Sequence, residues 1–449
     1  MDRVLGVETE YGLTARTERG RLSAPEAAER LFRPVVAVHR SANAFLGNGA
    51  RLYLDVGSHP EYATPECRTV AQLLVAERAG DQLLAGLAAR ASQDAAASGQ
   101  DVSFRLFKNN VDSFGNSYGC HENYLVTRAL DLTAAVRWLT PFLVTRQVLC
   151  GSGRWHRGEF TLSQRADQLH GQLAATTTRA RPLVNTRDEP LADPSRFRRL
   201  HVLAGDSNLL EASAWLKLGT TLALLELLDQ PDDPRPWPPA LELGDPDDAL
   251  RRVARDPQAA VTLADGRTIG ALDVQREYLE VAADLLEPGL AASWDRVLTA
   301  LATDPDEVAA DVEWVAKRRL LTRYRDRFHL SSDDPRLAQL DLAFHELGGP
   351  ITLLETRGAV TRLTDPVEVE KAIQDPPAGT RAVLRSAFVR AVRARGIDAS
   401  VDWQTCTVHD LPGGDGSSTD RTVRLPDPLQ DTSEELDELL THLARLPEG

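Results

Sequence analysis

Residues 4–12 read VLGVETEYG, and the alternation in this stretch predicts the strand around which the fold is built. A β-strand places alternate side chains on opposite faces, so Glu8 and Glu10 share one face, while Val7 and Thr9 share the other. Two carboxylates about 4 Å apart repel by roughly 4 kcal/mol at an effective dielectric of about 20. A buried pair therefore needs a proton, an arginine or a cation. The alternative is a strand with one solvated, acidic face.

Composition limits the classes of protein to which the chain can belong. The chain has 449 residues, 42% of them hydrophobic, and its formal net charge is −15. Its length predicts one large domain with an appendage, or two domains. No apolar run approaches the roughly 20 residues that span a bilayer, and there is no signal-peptide pattern, so we expect a cytoplasmic protein without a membrane partner. The acidic balance argues against nucleic-acid binding, and four cysteines without a CxxC pair argue against a zinc site.

The order of the patterns predicts the fold class. Short strand-like runs dominate the first half of the chain and long helical patterns dominate the second. In SAPEAAERLFRPVVAV, for example, Ser23 is the expected helix cap and Pro25 lies in the first turn. We therefore expect an α+β fold with helices packed on a mostly antiparallel sheet. The break at QDPPAGTRA predicts a large domain over residues 1–375 and a small C-terminal domain over 376–449.

The densest group of polar residues is RLYLDVGSHPEYATPEC, at 51–67. Arg51, Tyr53 and Asp55 alternate with apolar residues along a strand, and Glu61 follows the next turn. One strand face thus carries a cation and anions in line, a set of residue types suited to magnesium and phosphate. The alternative is an amphipathic strand with an internal Arg51–Asp55 ion pair.

Two further stretches contain candidate residues. In NSYGCHENYLV, at 116–126, His121 and Asn123 share one strand face, although a lone histidine is more often structural. A group of arginines between 176 and 208 is suited to phosphate or to an acidic partner, or else forms a solvated loop with Asp188 and Glu189. Its members are Arg179, Arg181, Arg187, Arg196, Arg198 and Arg199. The usual phosphate-binding motifs are missing from the sequence, so a nucleotide site must be built from a sheet face.

These stretches, in this order, resemble the Pup ligase family, whose members attach the prokaryotic ubiquitin-like protein Pup to lysines of target proteins. The segments that carry the resemblance run nearly end to end and include GVETEYG, NGARLYLDVGSHPEYAT, LFKNN, NSYGCHENYL, NTRDEP, RRLHV, GDSN and VDW. The resemblance implies a glutamine-synthetase-like fold, in which the curved sheet of a large domain holds ATP and magnesium, next to a small C-terminal domain.

The resemblance also implies a reaction and its residues. ATP would phosphorylate the γ-carboxylate of Pup's C-terminal glutamate, a target lysine would attack the acyl phosphate, and the tagged target would go to the proteasome. The residues that fall on the family's positions are Glu8, Tyr53 and Glu61 for magnesium, Arg51, Thr64 and Trp403 for ATP, and Asp55 for the catalytic base. Weaker candidates for the metal–phosphate cluster are Glu10, His121 and Arg187. A neutral phenol is a poor magnesium ligand, so the contact of Tyr53 is open to being indirect.

The family has a second branch, which deamidates Pup and removes it from proteins. That branch carries a long inserted loop before the ARLY strand and reads DHAHPEY where this chain has DVGSHPEY. Here Arg51 follows Glu10 by 41 positions, with one helix between them, which leaves no room for the loop. We therefore expect a ligase. The alternatives are the deamidase, a ligase for a small carboxylic acid and an amine, and an inactive scaffold that only binds Pup.

Overall fold

The computed structural model describes residues 3–55, 57–112, 114–174, 181–187, 189, 191–228, 241–412 and 418–446. The strands are β1 (Leu5–Glu10), β2 (Gly12–Thr17), β3 (Gly20–Arg21), β4 (Asn43–Phe45), β5 (Arg51–Leu54), β6 (Pro60–Ala63), β7 (Val102–Phe107), β8 (Cys120–Thr127), β9 (Arg154–His156), β10 (Glu159–Thr161), β11 (Leu173–Ala174), β12 (Val184–Asn185), β13 (Phe197–Val202), β14 (Ala260–Thr262), β15 (Thr268–Gly270), β16 (Ala399–Val401), β17 (Thr405–Pro412) and β18 (Ser418–Arg424). The α-helices are α1 (Ala24–His39), α2 (Val70–Ala97), α3 (Leu132–Thr145), α4 (Gln147–Cys150), α5 (Glu211–Leu228), α6 (Pro246–Arg255), α7 (Ala271–Ala282), α8 (Pro288–Thr303), α9 (Glu313–Arg327), α10 (Pro335–Phe344), α11 (Pro350–Thr356), α12 (Pro366–Ala372), α13 (Ala382–Ala394) and α14 (Glu434–Ala444).

An eight-stranded sheet forms the frame of the fold, with strand order β11-β12-β13-β8-β1-β6-β5-β4. Among the described strands of this sheet, the β11–β12 pair runs parallel and the other pairs run antiparallel. The predicted α+β class, with helices packed on a mostly antiparallel sheet, is confirmed. None of the helices in the described ranges is long and apolar enough to cross a membrane.

Strand β1 lies inside the sheet, between β6 and β8. Its alternating residues suit two different environments, one on each face of the sheet. Leu5 and Val7 point to one face and join the largest hydrophobic core, together with Leu73 of α2 and Leu139 of α3. Burial of such side chains is the main favourable contribution to folding. The opposite face of the same strand is left to Glu8 and Glu10, so the core fixes which way the acids point.

Helix starts follow the sequence signals. Ser23 caps α1 by accepting a hydrogen bond from the backbone N–H of Glu26 at 3.4 Å, and Pro25 lies in the first turn, as expected. Thr69 caps α2 in the same way, accepting from the N–H of Gln72 at 3.1 Å. Such caps satisfy backbone N–H groups that have no partner inside the helix.

The C-terminal part of the chain has a hydrophobic core of its own. The strands β16, β17 and β18 form a three-stranded sheet, and α13 and α14 pack on it. The buried residues of this core include Leu384, Phe388, Val408, Val423 and Leu439. A separate core supports the proposed division between residues 1–375 and 376–449, which stays a prediction.

Candidate active site

Polar side chains from the central strands meet on one face of the large sheet. In the strand register, Glu8 lies opposite both Ala63 and His121, and Glu10 lies opposite Glu61. On the next strand, Tyr53 lies opposite Glu61, and Arg51 lies opposite Ala63. Paired residues in adjacent strands share a face, so these side chains form a continuous polar surface.

Glu8 is surrounded by nitrogen atoms. His121 Nδ1 lies 3.4 Å from Glu8 Oε2, His201 Nε2 lies 3.8 Å from the same oxygen, and Arg199 Nη1 lies 3.5 Å from Glu8 Oε1. Burial alone would raise the pKa of Glu8, but the hydrogen bond with His121 and the charge of Arg199 help to hold it below its usual range. Burial lowers the pKa of His201 to about 3, so this imidazole is neutral at pH 7. Glu8 is therefore an ionised carboxylate with a fixed cation beside it.

Three neighbouring acids form a second group on the same face. Carboxylate oxygens of Glu10, Asp55 and Glu61 lie within 4.8 Å of one another. Burial, followed by the charges of Glu8 and Glu10, raises the pKa of Glu61 well above its usual value. No basic residue in the described ranges forms an ion pair with any of the three. Converging oxygen donors with uncompensated charge are what a hard divalent cation such as magnesium prefers, so the residues fit that ion.

Tyr53 supports this cluster through a hydrogen bond. Its hydroxyl donates to Glu61 Oε1 at 2.5 Å. Burial, followed by the charges of Glu8 and Glu61, raises the pKa of Tyr53, so the phenol stays neutral. A neutral phenol that donates to a carboxylate orients that carboxylate. The geometry is therefore compatible with an indirect role for Tyr53.

Arg51 does not pair with Asp55. Its Nε donates to Asn43 Oδ1 at 2.8 Å, and its guanidinium carbon lies 4.5 Å from the centre of the Tyr53 ring. The alternative of an internal Arg51–Asp55 ion pair is wrong. The Asp55 carboxylate therefore lies next to those of Glu10 and Glu61 without Arg51 as its partner.

A tight turn holds Asp55 at the edge of the polar face. The N–H of Asp55 donates to the carbonyl of His59 at 2.9 Å, and the N–H of Ser58 donates back to the carbonyl of Asp55 at 3.0 Å. Gly57 and Ser58 have φ angles of +94° and +66°, the left-handed conformation that glycine tolerates best. The turn directs the chain from β5 into β6 and brings Asp55 close to Glu61.

A slot opens beside Glu8, between the sheet and the C-terminal part of the chain. The residues that line the slot are Val4, Leu5, Gly6, Val7, Glu8, Ala63, Thr64, Pro65, Glu66, Asn123, Tyr124, Leu125, Leu191, Ala192, Arg199, Arg381, Trp403 and Pro428. The Thr64 hydroxyl accepts a hydrogen bond from the N–H of Val7 at 3.1 Å. The Trp403 indole packs edge-on against Phe45, with ring centres 5.0 Å apart. The lining is mostly apolar, and its charged members include the adjacent pair Glu8 and Arg199, a composition that is usual for a small-molecule site.

The structure brings most of the candidates together on the polar face, and Arg187 lies further out, in a chain of ion pairs that leads to Glu8. Arg187 is exposed and pairs with Glu189 at 2.7 Å. Glu189 also lies 3.6 Å from Arg199, the member of the same arginine group that reaches Glu8. Two residues named in that group, Arg179 and Asp188, lie outside the described residues. His201 was missed by sequence reasoning. The signal was the alternation in RRLHV, which puts Arg199 and His201 on one face of β13.

Comparison with known proteins identifies the relatives of the chain. The family described as "Pup-ligase protein" matches residues 3–407. The Pup–protein ligase of Sanguibacter keddieii is 44% identical over 459 residues, which cover 98% of each chain. The Pup–protein ligase of Mycobacterium ulcerans is 43% identical and covers 98% of this chain and 99% of its own.

Solved structures agree. A crystal structure of the complex between Pup and its ligase PafA superposes with a TM-score of 0.90 at 38% identity, covering 99% of this chain and 92% of that chain. A structure of the Pup ligase PafA in complex with ADP superposes with a TM-score of 0.83 at 39% identity, covering 94% of both chains. The similarity therefore extends over the sheet, the polar face and the C-terminal part.

Proposed function

The chain belongs to the Pup-ligase family, and from that premise we propose that it is an ATP-dependent ligase that joins Pup to lysine side chains of other proteins. One observation carries the proposal: the residues matched by the family, 3–407, contain the whole polar face and the slot-lining residue Trp403. Relatives that cover the chain almost completely are named Pup–protein ligase, which favours the ligase over the deamidase and over a small-molecule ligase. The modified proteins and their fate at a proteasome stay predictions, as does a cytoplasmic location.

ATP binding is proposed for the slot and its charged residues. Trp403 and Thr64 line the slot, and Arg51 lies on the adjacent strand, opposite Ala63. An indole face suits a purine, and a guanidinium suits a phosphate. A relative that superposes over 94% of both chains was solved in complex with ADP, which supports binding of an adenine nucleotide.

Magnesium is proposed for the carboxylates on the polar face. Glu8 and Glu61 would hold the ion. The Glu10 carboxylate lies within 4.8 Å of that of Glu61, and Tyr53 would keep Glu61 oriented through its hydrogen bond. When bound, the ion would neutralise phosphate charge and bring the nucleotide next to the acids. Since no basic residue that the structure describes forms an ion pair with Glu10, Asp55 or Glu61, binding would also relieve their repulsion.

The chemistry follows in two transfers. The γ-phosphoryl group of ATP passes to a γ-carboxylate oxygen of Pup's C-terminal glutamate, and ADP leaves. The nitrogen of a target lysine then attacks the acyl carbon, the bond from that carbon to the phosphorylated oxygen breaks, and phosphate leaves with the electron pair. Attack requires a neutral amine, whereas a lysine with a pKa of about 10.4 arrives protonated. Asp55 is the proposed acceptor of that proton, because it is the acid of the cluster that lies in the turn between β5 and β6.

The test is a reconstituted reaction. The full chain is incubated with Pup ending in glutamate, ATP, magnesium and a lysine-bearing protein, and mass spectrometry identifies the products. We expect an isopeptide bond between Pup and a lysine, with one ADP and one phosphate released per bond. Omission of ATP or of Pup is the control.

Other outcomes would point to the alternatives. Conversion of a glutamine-ended Pup to the glutamate form, without conjugation, would favour the deamidase. ATP hydrolysis that depends on a small carboxylic acid and an amine would favour a small-molecule ligase. Pup binding without any ATP turnover would favour a scaffold and would contradict the proposal.

A further inference from the structure

One buried arginine of the C-terminal part donates to Glu66 and Trp403, which line the slot, and to Gly49, which lies close to Arg51 in the chain. Arg385, in α13, has a fully buried side chain. Its Nη2 donates to Glu66 Oε2 at 2.5 Å and to the carbonyl of Gly49 at 2.9 Å. Its Nη1 donates to Glu66 Oε1 at 3.1 Å and to the carbonyl of Trp403 at 3.3 Å, and its Nε donates to the carbonyl of Gly49 at 3.3 Å.

These partners belong to the three segments that carry the proposed nucleotide contacts. Gly49 precedes Arg51 by two residues, and Glu66 follows Thr64 by two residues. The third partner is the backbone of Trp403 itself. The five N–H donors of one planar group are thus shared among the start of β5, the segment after β6 and the C-terminal part.

The same guanidinium also packs against the Trp403 ring. The Arg385 Cζ atom lies 4.9 Å from the centre of the indole and 5.0 Å from the centre of the Phe45 ring. Phe45 in turn meets the indole edge-on. A guanidinium can stack and donate in several directions at once, whereas an ammonium is a point charge with three donors. The position therefore requires arginine rather than any cation.

We propose that Arg385 is a positioning residue for the nucleotide slot, which sets the places of Arg51, Thr64 and Trp403 relative to one another. The inference rests on the proposed function, in which these three residues bind ATP. The competing explanation is that Arg385 only attaches the C-terminal part to the sheet. The two explanations differ in what an arginine-to-lysine change does to nucleotide affinity at unchanged fold.

The test compares Arg385→Lys with Arg390→Lys in the full chain. Arg390 lies in the same helix, is half-exposed and pairs with Asp375 at 2.8 Å, so it controls for a change of the same kind on α13. The lysine variant keeps a positive charge near Glu66, which is also paired with Arg381 at 2.8 Å, so folding should survive. The measurements are the Kd of ADP by calorimetry, the KM for ATP and kcat of conjugation, and the Tm.

We expect Arg385→Lys to raise the Kd of ADP and the KM for ATP by about tenfold or more, with a smaller change in kcat. Arg390→Lys should behave like the wild type. In a Trp403→Ala background the effect of Arg385→Lys should shrink, because residues that act through one another are not additive. Wild-type ADP affinity in a folded Arg385→Lys variant would overturn the proposal, as would full additivity with Trp403→Ala.

A second variant keeps the proposal testable if Arg385→Lys does not fold. In Glu66→Gln, only one of the two oxygens that accept from the Arg385 guanidinium is kept, so ADP binding should weaken severalfold. Unchanged ADP affinity in the folded variant would count against the proposal. Because ADP binding needs no Pup, the proposed function is judged separately. If the wild type binds ADP but makes no Pup conjugate, the ligase activity is refuted. The positioning role of Arg385 is still tested by the ADP affinities of the variants.

Discussion

Tyr53 and Glu61 are joined side chain to side chain, with the Tyr53 hydroxyl 2.5 Å from Glu61 Oε1, across the paired strands β5 and β6. The hydrogen bond fixes the orientation of a buried carboxylate that its neighbours Glu10 and Asp55 repel. A carboxylate that is held in a fixed orientation beside other carboxylates is suited to bind a cation.

Glu61→Gln is expected to stabilise the metal-free protein and to remove its response to magnesium. The amide relieves the repulsion among the three acids while keeping an acceptor for Tyr53, so the Tm without magnesium should rise. In the wild type, saturating magnesium with ADP should raise the Tm, because a ligand that binds only the native state stabilises it. Thermal unfolding with and without magnesium measures both effects.

The matched control is Glu29→Gln, which removes an exposed carboxylate on α1, remote in sequence from the cluster. This change should leave both the Tm and its magnesium response as in the wild type. If Glu61→Gln keeps the full magnesium response, the assignment of Glu61 to the metal is wrong.

Asp55→Asn is expected to slow conjugation by about 10²–10⁴, the usual contribution of a general base, while the Kd of ADP stays unchanged. Affinity should be preserved because Arg51 is held by Asn43 and not by Asp55, so the amide releases no cation. Single-turnover conjugation as a function of pH measures the rate. Recovery at high pH, where lysine loses its proton unaided, would support the base; near-normal conjugation at pH 7 would refute it.

Gly80→Ala is expected to destabilise the fold by about 1–3 kcal/mol, the usual cost of overpacking a core. A Cβ at this position of α2 would lie 2.4 Å from the ring of Tyr62, which is almost completely buried on the apolar side of β6. Tyr62 lies next to Glu61 in the chain, so activity should fall as well. Urea unfolding gives the free energy of unfolding.

The control for this change lies six residues further along the same helix. A Cβ at the exposed Gly86 meets no atom within 4 Å, so Gly86→Ala should stabilise the protein by roughly 0.5–1 kcal/mol through helix propensity. Equal effects of the two substitutions would show that crowding against Tyr62 is not the cause.

Glu313→Gln is expected to flatten the dependence of stability on pH. Burial raises the pKa of Glu313 from 4.5 to about 7, and the backbone N–H groups of Leu209 and Leu210 donate to its Oε2 at 2.7 and 2.9 Å. Lys317 is the nearby cation, and His345 Nδ1 lies 3.9 Å from the carboxylate. The native state therefore holds this proton more tightly than the unfolded state does, and the stabilisation present below pH 4.5 is lost as the pH rises through about 7.

The change amounts to roughly 3 kcal/mol at most, since one pKa unit corresponds to about 1.4 kcal/mol. Urea unfolding of both proteins between pH 5 and pH 8 measures it. The wild type should lose stability relative to Glu313→Gln across that range. Parallel curves for the two proteins would contradict the assignment.

Strand alternation was enough to predict the polar face from sequence. The spacing of Glu8 and Glu10, and of Arg51, Tyr53 and Asp55, fixes which side chains share a face whatever the rest of the chain does. Alternation cannot say which strands are neighbours. His201 therefore went unnoticed, since it reaches Glu8 only because β13 pairs with β8 and β8 pairs with β1.

Partners far apart in the chain were also beyond sequence reasoning. Arg51 and Asp55 share a strand face, but residues four apart in a strand lie roughly 13 Å apart, and Asn43 on the neighbouring strand takes the Arg51 donor instead. Glu66 and Arg385 are separated by 319 positions, and no local pattern indicates that they meet. Sequence reasoning predicted best which side chains of one strand share a face. It predicted worst which residues from distant parts of the chain contact one another.

The central place of β1 in the sheet has a consequence for biosynthesis. Glu8 leaves the ribosome about 400 residues before Trp403, and β1 can take its place only after β6 and β8, which flank it, have been made. The slot closes later still, when the C-terminal part emerges and Arg385 reaches Glu66. A nascent or truncated chain that lacks the C-terminal part therefore carries the acids without Arg381, Trp403 and Pro428, which complete the lining of the slot.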